Sequence, residues 1–158
     1  MLEKYLISFF VSMAPLIEIR GGMPIAVGMD LPEIPALIVC MLGNMAPVPI
    51  IYFFARKVLR WGSKKKYIGK VFAFFLDKGK KAGKKLSHSG KKRGLFLALM
   101  LFVAIPIPGT GAWTGTLAAS FLNMGIKKAT ASVCLGVLIA GILMTLASHG
   151  VFTIFGLY

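Results

Sequence analysis

Short and long apolar runs, separated by breaks, alternate along the chain. The first run, residues 5–17, has thirteen residues, whereas a helix that crosses a membrane needs about 20. Residues 18–22 (EIRGG) interrupt it, and a second short run starts at Pro24 and ends near Asp30. Paired glycines disfavour a helix, and proline is favoured in a first helical turn. The pattern predicts a hairpin of two half-helices, broken over residues 18–22, that enters the membrane and returns.

The third apolar run is long enough to cross a membrane. It covers residues 34–55, which is 22 residues, and it contains Pro47 and Pro49. Neither proline has an amide N–H, so the carbonyls of Gly43 and Met45 lose their partners in the helix. We therefore predict a kinked transmembrane helix, in which the kink serves either packing or function.

The same order of lengths recurs in the second half of the chain. A twelve-residue run, 94–105, is followed by a break over residues 106–115, a short run to Met124 and a full-length run over residues 129–148. Each set crosses the membrane once in net, because its hairpin returns to the side that it entered. Two such sets in tandem are inverted relative to each other, which is an architecture of transporters.

The basic residues are concentrated in one segment. The formal net charge is +14, and residues 56–93 carry all of it, with fifteen Lys and Arg and one acid. Because lysines in short loops mark the cytoplasmic side, we expect this segment in the cytoplasm and both termini outside. Apolar positions at helical spacing over residues 67–76 predict an interfacial helix that binds anionic lipid headgroups. We expect membrane lipids and no nucleic acid as partners.

We therefore predict an all-α integral membrane protein with a single domain, located in the cell membrane. Its parts are a first repeat (1–55), the basic segment (56–93) and a second repeat (94–158). The alternative is a protein of four ordinary transmembrane helices. That arrangement would bury Glu18 and Arg20 inside a span, where ionisable residues are costly.

Ionisable residues at membrane depth are candidates for function. Glu18 and Arg20 are two residues apart in the first break. Either they pair with each other, or Arg20 binds an anionic group while Glu18 takes a proton or a cation. In each hairpin the second half-helix would direct its N-terminus to the break, and free amides there favour negative charge. Thr110 and Thr114 add hydroxyl donors, and Trp113 either stacks on a ligand or packs.

No motif for catalysis or for metal binding is present in the sequence. Cys40 and Cys134 lie inside apolar runs without the spacing of metal ligands, which is typical of small core residues. His88 and His149 are far apart, and nucleotide-binding and nucleophile motifs are missing. We predict a protein that is not an enzyme and that has no cofactor and no metal.

Three segments resemble the signatures of a known family. They are residues 15–24 (PLIEIRGGMP), 42–47 (LGNMAP) and 105–115 (IPIPGTGAWTG). They are similar to those of the small multidrug export protein family, which is regarded as a distant branch of the DedA/VTT superfamily. The likeness covers nearly the whole chain apart from the basic segment. It implies opposed re-entrant hairpins and, from the better-studied relatives, movement of lipids such as polyprenyl phosphates and phospholipids between leaflets.

The resemblance also implies site residues. Those that match the family motif are Glu18, Arg20, Asn44, Pro106, Pro108, Gly109, Thr110 and Gly111. With Gly21, Gly22, Trp113 and Thr114 they make up the candidate substrate- and ion-binding set. Residues 94–126 contain no charged side chain, whereas DedA-type proteins carry further charges, including arginines, near the second hairpin. A mechanism with two charged centres therefore does not carry over.

The sequence predicts a small transporter that moves an amphipathic anionic substrate, a lipid phosphate, between leaflets, with proton coupling left open. One alternative is a proton-coupled exporter of cationic drugs, in which Glu18 is the exchanging carboxylate. Arg20 argues against it, since a cation site gains nothing from a nearby arginine. The other alternative is a membrane scaffold that transports nothing. Gly136 and Ala140 form a small-xxx-small pair, a signal of close helix packing, and the oligomeric state is left open, with a homodimer as one candidate for so small a chain.

Overall fold

The protein consists of helices joined by short breaks. The structure is a computed structural model that describes residues 1–55, 57, 77, 92–107, 109–122 and 124–154, and no strand occurs among them. The elements are α1 (Leu2–Met13), α2 (Glu18–Gly28), α3 (Glu33–Met45), the single turn α4 (Val48–Ile50), a π-helix (Ile51–Ala55), α5 (Lys92–Ala104), α6 (Ala112–Phe121) and α7 (Ile126–Ile154). The all-helical class is confirmed. Of the basic segment, the structure describes only residue 57, residue 77 and the start of α5. The predicted interfacial helix over residues 67–76 therefore lies outside the described residues.

The first break lies earlier in the chain than predicted. Helix α1 ends at Met13 because Ala14 is extended, with φ −67° and ψ 135°, the conformation that a following proline imposes. Apolar residues continue to Ile17, so hydrophobicity alone places the end of the helix too late. The chain turns over residues 14–17, where Leu16 adopts a left-handed φ of 74°.

The predicted break over residues 18–22 is wrong, because these residues form the first turns of α2. A Cβ on Gly22 would lie 3.1 Å from Cβ of Ser12 and closer still to its Oγ. Glycine therefore serves the close approach of α1 and α2 rather than a break. Pro24 lies inside α2 and not at its start. It removes only the hydrogen bond to the carbonyl of Arg20.

Two stretches of helix are long and apolar enough to cross a membrane among the described residues. They are Glu33–Phe54, with 22 residues, and Ile126–Val151, with 26 residues. The first is kinked as predicted, since α3 ends at Met45 just before Pro47, and the chain continues through α4 and the π-helix. The order of a short helix, a break, a short helix and a long helical stretch therefore occurs twice.

In the first half, α1 and α3 run side by side in the same direction. The Cys40 thiol lies 3.9 Å from the carbonyl oxygen of Ser8. A Cβ on Gly43 would lie 3.0 Å from the carbonyl carbon of Phe9 and closer still to its oxygen. The contacts advance together along both helices, which makes the helices parallel. Glycine at position 43 allows the two backbones to touch.

The second half repeats this arrangement with α5 and α7. Ser132 donates its hydroxyl to the carbonyl of Phe96 at 2.6 Å, and one turn later a Cβ on Gly136 would lie 2.6 Å from the carbonyl oxygen of Met100. Ala140 is 1% exposed. The small-xxx-small pair therefore packs inside the chain, as a signal of close helix packing predicts, and the homodimer stays a prediction that this pair does not support.

The long helices of the two halves run in opposite directions. At one end, His149 Nε2 lies 2.7 Å from Glu33 Oε1, so the C-terminal part of α7 meets the start of α3. Farther along, a Cβ on Gly141 would overlap the side chain of Leu37. His149, which has no partner that the sequence alone reveals, thus forms a contact between the halves.

The second short helix of each half packs on the long helix of the other. Helix α2 lies against α7, and α6 lies against the π-helix. Ser120 donates its hydroxyl to the carbonyl of Tyr52 at 2.9 Å, and the Tyr52 hydroxyl donates to the carbonyl of Met124. The halves are therefore interlocked rather than side by side, and the regions of their two breaks are in contact.

Candidate functional site

The breaks of the two hairpins form one site. Trp113, the second residue of α6, donates its indole N–H to the carbonyl oxygen of Met13 at the end of α1, at 3.2 Å. Glu18 and Arg20 lie in the first turn of α2, and both bind groups of the second break. The charged residues of the first hairpin are thus in contact with the second hairpin. We call this contact region the junction.

The carboxylate of Glu18 caps the N-terminus of α6. Its Oε2 accepts the backbone N–H of Ala112 at 3.2 Å, and its Oε1 accepts that of Trp113 at 3.1 Å. These amides have no partner within the helix and lie at the positive end of its dipole. Glu18 is only 4% exposed, and a buried carboxylate requires such compensation. The anion site expected at this helix end exists, and the protein's own carboxylate occupies it.

Gly111 leaves the space in which this carboxylate lies. A Cβ at position 111 would be 2.5 Å from Oε1 of Glu18 and nearer still to its Cδ and Oε2. The backbone of Gly111 is extended, with φ −84° and ψ −160°, which other residues adopt as well. The requirement for glycine here comes from the carboxylate and not from the backbone.

The guanidinium of Arg20 binds the carbonyls that follow α5. Its Nη2 donates to the carbonyl oxygens of Ile105 at 2.9 Å and Val103 at 3.3 Å and to Oγ1 of Thr110 at 3.0 Å, and its Nη1 donates to the carbonyl of Ile107. Carbonyls at the end of a helix lack partners and carry partial negative charge. The planar fork of arginine can bind several of them at once.

Glu18 and Arg20 do not pair with each other. No ion pair between them occurs in the part of the chain that the structure describes. Glu18 instead binds the N-terminus of α6, the positive end of its dipole, and Arg20 binds the carbonyls at the C-terminus of α5, the negative end. The two charged side chains thus contact both sides of the second break. Of the two alternatives that the sequence leaves open, direct pairing is therefore not observed.

The second break is ordered by glycine and threonine. Gly109 has a φ of 85°, which favours glycine because a Cβ clashes there. The hydroxyl of Thr110 donates to the carbonyls around Pro106 while it accepts from Arg20, and Thr114 donates to the carbonyl of Gly109 at 2.9 Å. Pro108 lies outside the described residues. Six of the predicted site residues thus lie in this loop or at the start of α6: Pro106, Gly109, Thr110, Gly111, Trp113 and Thr114.

Three other predicted site residues lie apart from the charged contacts. Gly21 and Gly22 face the side chains of Ile17 and Ser12, so both have a packing role. Asn44 is completely buried on α3, and neither its Oδ1 nor its Nδ2 has a hydrogen-bond partner among the described residues. A buried amide without partners is unusual, which makes Asn44 the least explained residue of the set.

An apolar groove opens beside the junction. Its volume is about 660 Å³, within the range of small-molecule sites. Its lining comes from the end of α1, the kinked part of the long stretch and the start of α6: Phe10, Met13, Ala14, Pro15, Ala46, Pro47, Ile50, Ile51, Phe54 and Trp113. Trp113 is therefore part of both the groove and the junction.

Sequence reasoning missed Tyr52, which holds both ends of the turn after α6. Its position in an apolar run gives no signal for this, although π-helices occur often at functional sites.

The two cysteines are free, Cys40 buried and Cys134 half-buried. In the described residues no group of three His, Cys, Asp or Glu side chains is placed to hold a metal ion.

The fold and the junction define a class of protein: a helical membrane protein in which two halves of broken and long helices are held together by the buried Glu18 and the half-buried Arg20. The family model described as "Putative small multi-drug export protein" matches residues 18–143. The chain therefore belongs to this family of small multidrug export proteins, which confirms the family that the three segments predicted. No curated protein and no solved structure shows a significant match to the chain.

Proposed function

We propose that this protein is a membrane transporter that moves an amphipathic substrate with an anionic headgroup, a lipid phosphate, between leaflets. The observation that carries the proposal is the binding of the Glu18 carboxylate by the first two amides of α6. A phosphate oxygen accepts the same hydrogen bonds, and helix N-termini bind both kinds of anion. A headgroup can therefore take the place of Glu18 at this helix end.

The apolar groove supports an amphipathic substrate rather than inorganic phosphate. The groove lies beside the junction and shares Trp113 with it. A headgroup on the α6 amides would thus have its acyl or prenyl chain next to apolar side chains. Burial of hydrocarbon contributes about 0.8 kcal/mol per CH₂ group, so such a chain adds much of the affinity.

The arrangement of the halves supports alternating access. The long helices α3 and α7 run antiparallel, and the same glycine contacts recur in each half. Inverted repeats with broken helices that meet at the midplane allow a transporter to open to either side around one site. We therefore assign the two hairpins to re-entrant segments of opposite orientation, with residues 56–93 in the cytoplasm, in keeping with the implied kinship to DedA/VTT proteins.

Proton coupling follows from the exchange. When a headgroup takes the two amides, the Glu18 carboxylate loses both hydrogen bonds while it stays inside the protein. An unpaired buried carboxylate is costly, and uptake of a proton removes the charge. One proton would then be bound for each headgroup that enters the site, and released when Glu18 returns to α6.

A second candidate function is proton-coupled export of cationic drugs, in which Glu18 is the exchanging carboxylate. It is favoured by the absence of an ion pair between Glu18 and Arg20 in the described part of the chain. Because the carbonyls after α5 bind the guanidinium, the repulsion that argued against a cation site is weaker than the sequence suggests. The export label of the family points the same way.

Flux measurements on Glu18→Gln in proteoliposomes test the proposal. Glutamine has one acceptor oxygen and so can satisfy only one of the two amides, and the loss of a charge-assisted hydrogen bond is worth about 1.5–3 kcal/mol. The glutamine side chain therefore binds the α6 amides more weakly than the carboxylate does, and a lipid phosphate displaces it more easily. We expect its half-saturating concentration to fall roughly tenfold or more, and its flux to lose all dependence on a pH gradient. Glu3→Gln, which changes an exposed acid in the first turn of α1, is the control.

The same experiment separates the alternatives. A cation exporter loses the transport of cationic dyes in Glu18→Gln and never carries lipid phosphate. A scaffold shows no flux of either substrate in the wild type. Arg20→Lys should keep the fold but reduce lipid-phosphate flux, because lysine lacks the planar fork that binds several acceptors. Lipid-phosphate flux that is the same in Glu18→Gln as in the wild type, with the same pH dependence, would refute the proposal.

A further inference from the structure

Four buried polar atoms in the first half of the protein lack hydrogen-bond partners among the described residues: Nε of Arg20 and three atoms on α1 and α3. Asn44 has an exposure of 0%, and its Oδ1 and Nδ2 have no hydrogen-bond partner among the described residues. Oγ of Ser12, which is also 0% exposed, has no oxygen or nitrogen partner there and meets only the Cys40 thiol. A buried polar group without a partner destabilises the folded state. Native proteins usually satisfy such groups with an internal water molecule or a ligand.

Ser12 and Asn44 lie at the same level of two facing helices. Ser8 of α1 contacts Cys40 of α3, and these helices run parallel. Ser12 follows Ser8 by one turn, and Asn44 follows Cys40 by one turn, so each lies on the same face as its predecessor. The unpartnered atoms therefore share one seam between α1 and α3.

In the second half, the position on α5 that is equivalent to Ser12 is apolar, although the neighbouring Thr116 of α6 has a buried hydroxyl without a partner among the described residues. Gly22 approaches Ser12, and the equivalent contact is that of Gly115, where a Cβ would lie 2.6 Å from Cγ2 of Val103. Val103 is 1% exposed. A valine thus fills the position that Ser12 fills in the first half.

The same comparison holds for Asn44. Gly43 touches the backbone of α1, and Gly136 touches the backbone of α5 in the same way. The next residues are Asn44 and Val137, each with an exposure of 0%. Since apolar side chains suffice for this packing in the second half, the amide of Asn44 and the hydroxyl of Ser12 are not needed to join the helices.

The polar seam leads towards the junction. Ser12 packs against Gly22 of α2, and Glu18 precedes Gly22 by one turn on the same face. In addition, Pro47 has no N–H to donate to the carbonyl of Gly43, and water often satisfies such carbonyls in membrane helices. Hydrogen-bonding groups are therefore arranged from the kink of the long stretch to the helix that carries Glu18.

We propose that Ser12 and Asn44 hold water in this seam, and that this water is the route by which protons reach and leave Glu18. Asn44 presents an unpaired donor beside an unpaired acceptor, so its ligand must both accept and donate a hydrogen bond. Water does so, and a metal ion does not. The inference rests on the proposed function, in which Glu18 takes up a proton when a headgroup displaces it.

Hydration of the seam can be measured without transport. The chain has two asparagines, Asn44 and Asn123, so selective ¹⁵N labelling of asparagine gives two side-chain amide signals, and Asn44→Val assigns them. Water-edited solid-state NMR of the protein in lipid bilayers should show transfer from water to Nδ2 of Asn44. Ser12→Val, which introduces the residue of the equivalent position, should reduce that transfer several-fold. A dry Asn44 amide would overturn the proposal.

The proton route is tested by flux in proteoliposomes. Ser12→Val should keep the exchange of lipid phosphate without a pH gradient but lose the flux that a pH gradient drives, and Asn44→Val should lose the pH-driven flux as well. Both should keep or raise the melting temperature, because an apolar group replaces an unsatisfied polar one. The control is Ser132→Ala, a buried serine whose hydroxyl is bonded to Phe96, and it should keep both kinds of flux.

The outcomes distinguish the inference from the function on which it rests. Water at Asn44 combined with wild-type pH dependence in both valine variants would overturn the proton route and leave the transporter proposal intact. Absence of lipid-phosphate flux in the wild type would refute the proposed function and, with it, the route. Loss of pH-driven flux in stable valine variants, together with a hydrated Asn44, is the result that we expect.

Discussion

The substitution Gly111→Ala tests whether the binding of Glu18 to α6 holds the two hairpins together. The added Cβ would lie 2.5 Å from Oε1 of Glu18 and closer to its other carboxylate atoms. Those atoms are held between two backbone amides, so they cannot move aside and keep both hydrogen bonds. The backbone of Gly111 is extended and accepts alanine without strain. The perturbation therefore acts on the carboxylate alone.

The expected loss of stability is large for a single methyl group. Displacement removes two hydrogen bonds to a charged acceptor, each worth about 1.5–3 kcal/mol. It also leaves Glu18 buried without a partner, and breaking a buried charge interaction typically costs about 3–5 kcal/mol. These figures describe the same event and do not add. We expect Gly111→Ala to lower the free energy of unfolding by about 3–5 kcal/mol, or roughly 6–20 °C in melting temperature.

Thermal unfolding in nanodiscs, followed by circular dichroism, measures this loss. The matched control is Gly125→Ala, because nothing lies within 4 Å of a Cβ at that position. In a Glu18→Ala background the carboxylate is gone, and Gly111→Ala should then change stability by less than about 1 kcal/mol. The double-mutant cycle thus assigns the effect to the contact between the two residues.

A Gly111→Ala protein that melts like the wild type would refute the interpretation. It would mean that the Glu18 carboxylate does not occupy the space beside residue 111. An equal loss in the wild-type and Glu18→Ala backgrounds would refute it too, because the cause would then lie in the loop and not in the carboxylate.

Three further predictions concern topology, the basic segment and the turn after α6. Single cysteines at Ser87 and Leu157, both outside the described residues, should label from opposite faces of the membrane in a background without native cysteines, and labelling from one face would contradict inverted repeats. Phe72→Asp, also outside the described residues, should increase the water exposure of a spin label on that segment, because a charge replaces buried apolar area; unchanged exposure would mean that the segment is solvated already. Tyr52→Phe should lower stability by about 1 kcal/mol, since it leaves the Met124 carbonyl without its hydroxyl partner, and thermal unfolding checks it against the wild type.

The order of the elements was accessible from the sequence because it depends on local chemistry. Run lengths and prolines give two short helices and one long stretch in each half, and Pro15 and Pro47 mark the end of α1 and the kink. The exact start of α2 was not accessible. Gly21 and Gly22 look like a break, but their role depends on the approach of α1, which no local pattern encodes.

The residues of the candidate site were easier to predict than their partners. Glu18 and Arg20 stand out because charges are rare in apolar runs, and Gly109 to Gly111 stand out as a glycine-rich break. That Glu18 binds α6 while Arg20 binds the end of α5 follows from the packing of one hairpin on the other, over more than eighty positions of sequence. The contact between Glu33 and His149 has the same origin.

The position of both charges on α2 has a mechanical consequence. Through Glu18 and Arg20, the single helix α2 is hydrogen-bonded to both sides of the break between α5 and α6. The same helix packs against α7. Bending of the second hairpin at its break therefore requires that Glu18 or Arg20 first lose its hydrogen bonds to that hairpin. A movement of α2 and the second hairpin as one body keeps these hydrogen bonds, whereas a competitor for either charge would free the break to bend.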